Sequence, residues 1–360
     1  MRTVMVNTTP GYPVLIGNGI LQELVGEYKK KFYPRIPIVV SNQKVFDLWG
    51  EELVPVLRQV GWKRGYLIIV PDSEEAKSLP VFADVIKRVA DLDKDRKSVL
   101  IVAFGGGVVG DLAGFVAGTY RRGVPIVQIP TTLLSQIDSS IGGKTAVNLP
   151  SGKNIVGVYH QPALVLIDVR FLSTLDIKQM REGLSEGIKY GIIRSPDLFT
   201  YLEKVEGMSF DWEWFVEECV KIKARVVSED ERERKGLRFI LNLGHTIGHA
   251  LEIESNHRFS HGQAVALGMV AAGYISLIKG IGSEKTLSRI EGVIDKFGLP
   301  KRLGYNVNED RFWNALVRDK KFSGGRFRFV LPRRIGSVLV SDDVEEREIK
   351  SSLDFIRGGI

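Results

Sequence analysis

Four of the five histidines in this 360-residue chain fall between Asn242 and His261, at His245, His249, His257 and His261. Neutral imidazole is a common ligand for divalent transition metals, so the clustering points to a metal site. His245 and His249 are four residues apart, which puts their rings on one face if the segment is helical. Two imidazoles do not complete a catalytic zinc-type sphere, which takes three protein ligands and leaves one position open. A third ligand must come from His257, His261 or an acid elsewhere. Thr246 follows the first histidine, so the spacing is not His-Glu-x-x-His and lacks the general base of a metalloprotease. A solvated helix end with satisfied histidines is the structural alternative.

A glycine-rich stretch suggests a second ligand. Gly105-Gly106-Gly107-Val108-Val109-Gly110 fits G-x-G-x-x-G, follows the apolar run Val99–Phe104 and leads into a helix expected from Asp111. Glycines there let the backbone approach a pyrophosphate, and the helix N-terminus faces it with N–H groups and a positive dipole end. The acidic ribose anchor of an ordinary dinucleotide fold is missing from the next strand, Pro125–Ile129, and the turn comes several strands into the sheet. Phosphate binding without that ordinary geometry is the expectation; a ligand-free tight turn is the alternative. Asp138-Ser-Ser-Ile-Gly-Gly-Lys144-Thr145 has Asp138 where a P-loop needs glycine, which argues against an NTPase. Lys144, Lys153 and Asn154 on nearby loops suit an anionic ligand, with solvated lysines as the plainer reading.

Glu186 and Lys189 are three apart among the small residues Gly183, Ser185 and Gly187. A surface ion pair is the default for such a couple. Beside the histidine cluster, Glu186 becomes a natural third ligand, giving one carboxylate and two imidazoles. Lys223, Arg238 and Asn242 precede the cluster and Lys320-Lys321 follow it; together they could bind several substrate oxygens and a phosphate.

These residues need two kinds of scaffold. Residues 1–175 alternate β-rich runs with helical patterns: Arg2–Asn7 and Tyr12–Ile16 as a strand pair, then Ile36–Ser41, Tyr66–Val70, Val99–Phe104, Pro125–Ile129 and Leu164–Asp168. That alternation predicts crossover units and a mostly parallel, Rossmann-like α/β sheet. Pro71-Asp72-Ser73 reads as a helix start, with Glu74 and Glu75 in the first turn. Residues 176–360 read as an all-α domain through Lys178–Ile193, Phe215–Val227, Gly244–Ile253, His261–Ile281 and Glu284–Phe297, with little strand signal until Arg326–Leu331. No leader or membrane span is expected: the longest apolar candidate, Ala264–Ile278, is short for a span and reads as a buried helix.

Bulk composition agrees with a soluble globular protein, at 44% hydrophobic and 26% charged residues. The single cysteine, Cys219, excludes an internal disulfide and fits a reducing cytoplasm. A net charge of +7 raises nucleic acid, but basic residues are dispersed among acids, as in Glu229–Lys235. Attraction of a small anionic substrate accounts for the balance more simply.

Taken together, Pro71–Lys77, Gly105–Asp111, Pro130-Thr131-Thr132, Asp138–Ala146, Gly152-Lys153-Asn154, Glu186–Tyr190, Leu241–His249 and His261–Val265 resemble, in order, the 3-dehydroquinate synthase family of sugar-phosphate cyclases. The resemblance implies an N-terminal NAD-binding domain, a C-terminal helical metal domain, an active site in the cleft between them, and a homodimer. By it, Glu74, Lys77, Gly106, Gly107, Val108, Asp111, Thr131, Thr132, Lys144, Lys153, Phe171 and Thr174 would hold NAD, with Ser41 or Asn42 at the adenosine ribose. Glu186, His245 and His261 would hold one divalent metal, zinc or cobalt. His249 would then contact substrate or its phosphate, against what its spacing alone suggests. Asp138, Lys189, Lys223, Arg238, Asn242 and Lys320 (or Lys321) would bind substrate, with Arg122 reaching a phosphate in the partner protomer. The implied reaction converts 3-deoxy-D-arabino-heptulosonate 7-phosphate to 3-dehydroquinate and phosphate in the shikimate pathway. Its stages are transient oxidation by NAD, β-elimination of phosphate, re-reduction and intramolecular aldol closure. A metal-dependent polyol dehydrogenase, or another sugar-phosphate cyclase, is the alternative.

Overall fold

The structure, a computed structural model, describes residues 1–93, 99–256, 258–318, 322–323 and 326–358. Its first stretch runs β1 (Arg2–Val6), β2 (Tyr12–Gly17), α1 (Glu23–Glu27), β3 (Ile36–Asn42), α2 (Gln43–Arg58) and β4 (Leu67–Val70). Next come α3 (Leu79–Leu92), β5 (Val99–Gly105), α4 (Gly107–Thr119), β6 (Ile126–Pro130), β7 (Lys144–Leu149), β8 (Gly152–Tyr159) and β9 (Leu164–Asp168). The remainder holds α5 (Ile177–Arg194), α6 (Pro196–Lys204), α7 (Trp212–Glu229), α8 (His245–Glu254), α9 (His261–Ile278) and α10 (Glu284–Lys296). It ends with α11 (Glu309–Arg318), β10 (Phe322–Ser323), β11 (Arg326–Arg334), β12 (Ser337–Val344) and α12 (Glu346–Arg357). Two compact units form: Met1–Asp176 with Trp212–Arg232, and Ile177–Asp211 with Glu233–Ile360.

In the first unit a seven-stranded sheet runs β1-β2-β9-β6-β5-β3-β4, parallel except for the β1–β2 hairpin. β5 explains the arrangement. All seven of its residues are buried, as a central parallel strand covered on both faces requires. Successive side chains point to opposite faces, so Leu100, Val102 and Phe104 join one core with α1 and α2. Val99, Ile101 and Ala103 join the other, with α3 and α4. Among β3, β4, β5, β6 and β9 the spatial order is second, first, third, fourth, fifth, the doubly wound order whose switch point lies between β3 and β5. The glycine turn therefore follows a strand at the switch point, which explains why it comes late in the sequence.

Several expectations need correction or completion here. The Pro71-Asp72-Ser73 signal opens only a single turn, Glu74–Ala76, and α3 starts at Leu79 after the extended Ser78. α4 begins at Gly107, inside the glycine run, not at Asp111. Lys144 starts a strand where a P-loop would need a helix, in line with the reading against an NTPase, but β7 pairs antiparallel with β8 in a hairpin the sequence reading lacked. α7, read as part of a helical second half, buries Phe215, Val216, Cys219 and Val220 within the first unit, where Glu217 pairs with Arg2 of β1.

The second unit is helical but not wholly so, because β10-β11-β12 form a small antiparallel sheet. α9 is apolar on all sides, and 72% of its length lies buried inside the fold, as expected of a core helix. Glycines let neighbouring helices approach it closely. A Cβ on Gly268 would stand 1.9 Å from the Gly244 carbonyl oxygen, and one on Gly262 would stand 2.8 Å from the Glu182 Cα. The first contact presses α9 onto the start of α8, and the second presses its N-terminus onto α5.

Candidate functional site

That packing brings three distant residues together. Glu186 lies in the middle of α5, while His245 and His261 are the first residues of α8 and α9. Glu186 Oε1 lies 3.5 Å from His245 Nε2 and 3.6 Å from His261 Nε2. All three ligand atoms fall within 4.8 Å of one another. Tetrahedral bonds of ~2.1 Å to nitrogen and oxygen put neighbouring ligand atoms about 3.4 Å apart, so the spacing suits one ion. The chemistry of the donors agrees. Glu186 Oε1 is buried and accepts no hydrogen bond among the described residues. His245 Nδ1 lies 3.1 Å from the Leu243 carbonyl, so it carries the proton and leaves Nε2 as a lone pair.

The electrostatics follow from burial and charge. Burial holds the His245 imidazole well below its ordinary pKa, in the neutral form that ligates metals. Burial would raise Glu186, but Lys189, His245 and His261 around it hold the carboxyl well below its usual range. Burial also opposes a charged His261, yet the flanking carboxylates of Glu186 and Glu252 outweigh it and hold this imidazole up at about 10. Lys189, one turn along α5, rests on Glu186 Oε2, and both side chains are almost fully buried. The expected surface pair is thus a core pair, because α5 buries the whole Leu184–Ile193 stretch.

His249 lies one turn beyond His245, with ring centroids 5.3 Å apart, and 6.1 Å from the His261 ring. It stands outside the Glu186 triad and shares a second grouping with Glu252 and His261. Arg238 is buried on the turn Leu237–Asn242, 3.7 Å from Glu233, and Asn242 ends that turn half-buried. Lys320, Lys321 and His257 lie outside the described residues.

In the first unit, Asn42, Gly105 and Pro130 end β3, β5 and β6 on the same edge of the sheet. None of Gly105, Gly106 and Gly107 has a positive φ; they are needed for closeness. Side chains there would strike Val109 at 2.7 Å, Thr132 at 3.1 Å and Ser139 at 2.9 Å. Gly106, Gly107 and Val108, where α4 begins, are only half-buried, and a helix N-terminus is where main-chain N–H groups can meet a phosphate. Thr131 is buried beside that turn, and its Oγ1 finds no hydrogen-bond partner among the described residues. Thr132 bonds Ser135 at 2.8 Å.

Lys77 joins Asp111 at 2.6 Å and Asn154 at 2.5 Å, while Glu74 accepts from Asn148 at 2.8 Å. Burial pushes the Asp111 carboxyl up, against the pull of Lys77. Lys144 and Lys153 sit exposed at the starts of the β7–β8 hairpin. Lys223 of α7 meets Asp138 at 2.6 Å, so these two substrate candidates are brought together within the first unit. Arg122 is exposed on a turn where it and Arg121 both take positive φ, held by Arg121 to the buried Asp93 at 2.8 Å.

The remaining candidates have structural duties. Ser41 is fully buried and donates to the Phe104 carbonyl at 2.7 Å across the sheet, so its hydroxyl is committed inside the fold. Asn42 caps α2 through Val45 N at 2.8 Å and donates to Asp72 at 2.6 Å, which leaves Asp72 as the acid at that sheet edge. The Phe171 ring lies in the core between Trp49 and Phe104, so contact with a ligand is left to its main chain. Thr174 Oγ1 donates to the Phe171 carbonyl at 3.0 Å and accepts from Trp49 at 3.2 Å.

Comparison with known proteins decides the lineage. Residues 67–182 match the family model described as 3-dehydroquinate synthase N-terminal, and residues 183–322 match its C-terminal counterpart. The chain belongs to the 3-dehydroquinate synthase family. It is 41% identical to the 3-dehydroquinate synthase of Desulforamulus reducens, an alignment that covers 98% of this chain and 99% of that one. Among solved structures it is similar to 2-deoxy-scyllo-inosose synthase complexed with carbaglucose-6-phosphate, NAD+ and Co2+. That match has a TM-score of 0.87 and 26% identity, covering 98% of this chain and 99% of that chain. It is also similar to 2-epi-5-epi-valiolone synthase from Streptomyces hygroscopicus subsp. jinggangensis 5008, with NAD+ and Zn2+ bound. There the TM-score is 0.83 and the identity 28%, over 97% of each chain.

As a member of the 3-dehydroquinate synthase family the chain is an enzyme, a cyclase, and the polyol dehydrogenase alternative is not favoured by this full-length match. Sequence reasoning passed over two acids beside the triad. Glu252 lies three residues beyond His249, on the same helical face, and Glu182 lies four before Glu186. Glu182 accepts from the Gly262 N–H at 2.6 Å and so anchors the end of α9 that carries His261. Helical spacing from known candidates was the available signal for both.

Proposed function

We propose that the chain converts 3-deoxy-D-arabino-heptulosonate 7-phosphate to 3-dehydroquinate and inorganic phosphate, as a carbon–oxygen lyase of the shikimate pathway in the cytoplasm. The observation that carries this reading is the meeting of Glu186 with His245 and His261 at ligand spacing, in a chain matched along its length to one family. Those three residues would hold a divalent metal, zinc or cobalt. Asn42, Glu74, Lys77, Gly106, Gly107, Val108, Asp111, Thr131, Thr132, Lys144, Lys153, Phe171 and Thr174 would hold NAD. When bound, NAD supplies reversible hydride transfer and the metal supplies Lewis acidity toward a hydroxyl or ketone oxygen.

The protein side chains bind and orient a multiply anionic sugar acid. Lys189, buried next to Glu186, offers a cation beside the metal ligands. Arg238 and Asn242 offer donors on the turn leading into α8. Lys223, oriented by Asp138, provides another fixed charge, and Lys320 contributes from outside the described residues. His249, outside the triad, is free of ligand duty and holds or moves a proton near the substrate phosphate, which can itself accept one. Arg122 would reach the phosphate bound by the partner protomer of a homodimer.

The test is a phosphate-release assay on the purified chain. Phosphate is expected from the keto-acid sugar phosphate only with divalent metal and NAD present, without lasting accumulation of NADH. Steady NADH build-up would identify a plain dehydrogenase and overturn the proposal.

A further inference from the structure

We infer that Glu252 is the positioning residue of the metal site, fixing the tautomer and ring angle of His261. The inference rests on the metal reading proposed above. His261 is the most loosely held of the three ligands: its side chain is 33% exposed, against 13% for His245 and 1% for Glu186. Like His245, it opens its helix, so neither ring is fixed by a preceding helical turn of its own element and each needs a partner at its second nitrogen. Something must choose which nitrogen faces the ion. For His245 the choice is made by the main chain, through the Leu243 carbonyl at 3.1 Å from Nδ1. For His261 the group at Nδ1 is a carboxylate, Glu252 Oε2 at 3.4 Å, while Nε2 faces Glu186 Oε1 at 3.6 Å.

Glu252 is suited to that task. It is 7% exposed on α8, the helix that also presents His245, so one rigid element carries both a ligand and the support of another. A carboxylate behind an imidazole keeps the proton on Nδ1, raises the basicity of Nε2 and adds negative charge near the cation. Here that charge also offsets the buried Lys189 ammonium on the far side of Glu186. Glu252, His249 and His261 could instead be ligands to a second ion. That arrangement would strip the Nδ1 proton from an imidazole whose Nε2 is already committed, which the positioning role does not require.

The experiment is a Co2+ titration of the metal-free chain against a competing chelator, with the cobalt absorption spectrum recorded. Glu252→Gln, which keeps shape and loses charge, is expected to weaken Co2+ binding roughly 10–100-fold and shift the spectrum, with one ion per chain retained. Glu252→Asp is expected to fall between the two, and it carries the same test should the glutamine variant not fold. Affinity and spectrum equal to wild type in a folded variant would overturn the inference, as would a fall from two bound ions to one. A wild-type chain with no more affinity for Co2+ than Glu186→Ala would instead sink the metal reading beneath it.

Discussion

Gly268→Ala tests the idea that glycine contacts between helices assemble the metal triad. A Cβ at this position would stand 1.9 Å from the Gly244 oxygen and 2.7 Å from the Gly244 carbonyl carbon, both main-chain atoms that no rotamer change can move. Restoring an ordinary 3.4 Å contact requires α8 and α9 to part by about 1.5 Å there. His245 directly follows Gly244, so the ligand moves with the helix start. Metal–ligand distances tolerate about 0.2 Å, so the shift should disable the site even where the fold survives.

Helix propensity alone would make Gly268→Ala stabilising by as much as ~1 kcal/mol. Overpacking costs about 1–3 kcal/mol and acts in the opposite direction. The expectation is a net loss of up to ~2 kcal/mol, a melting temperature lowered by up to roughly 8 °C, and Co2+ affinity reduced at least tenfold. Gly248→Ala, whose Cβ would meet the Ala264 oxygen at 2.9 Å, should do the same more mildly. Calorimetry and a Co2+ titration read both effects. A Gly268→Ala chain with wild-type affinity would refute the packing argument.

Other substitutions separate the roles assigned above. Glu186→Ala and His261→Ala should each lose bound metal by elemental analysis, whereas His249→Ala should keep it and lose turnover; stoichiometric metal in His261→Ala would overturn the ligand set. Lys189→Met leaves the buried Glu186 carboxylate without its cation. It should cost about 3–5 kcal/mol in the metal-free chain by thermal melting, with part of the loss recovered on adding Co2+. Ser41→Ala should cost about 1 kcal/mol through the lost bond to the Phe104 carbonyl and leave NAD affinity unchanged. A marked loss of NAD affinity would give Ser41 the ribose role that its burial denies.

Much of the molecule was legible in the chain itself, and the failures share one cause. The continuous apolar run Val99–Phe104 and the glycine turn after it announced a central parallel strand and its end, because a strand covered on both faces is apolar at every position and that signal is local. α7 was legible as an amphipathic helix, but periodicity gives a helix a face without naming its partner, and that face lies in the first unit. The β7–β8 hairpin was missed because β8 is largely exposed and interrupted by Gly157, so it lacks an apolar signature. Ser41 and Phe171 were singled out by resemblance alone, and no local pattern announced that both side chains lie buried, with Ser41 bonded to the Phe104 carbonyl.

The amino-acid sequence by itself determined the donor inventory: four histidines crowded into twenty residues, an acid among small neighbours, and a glycine turn behind an apolar strand. Spacing left the set of donors open, and the tertiary structure decided which of them stand within reach of one another. His245 and His249 are neighbours on one helix, yet His261 and Glu186 complete the set, because α5, α8 and α9 meet where glycines bring main chains together. Helical spacing constrains residues within a turn or two, whereas a coordination sphere is closed by contacts between helices, and those depend on how whole surfaces pack.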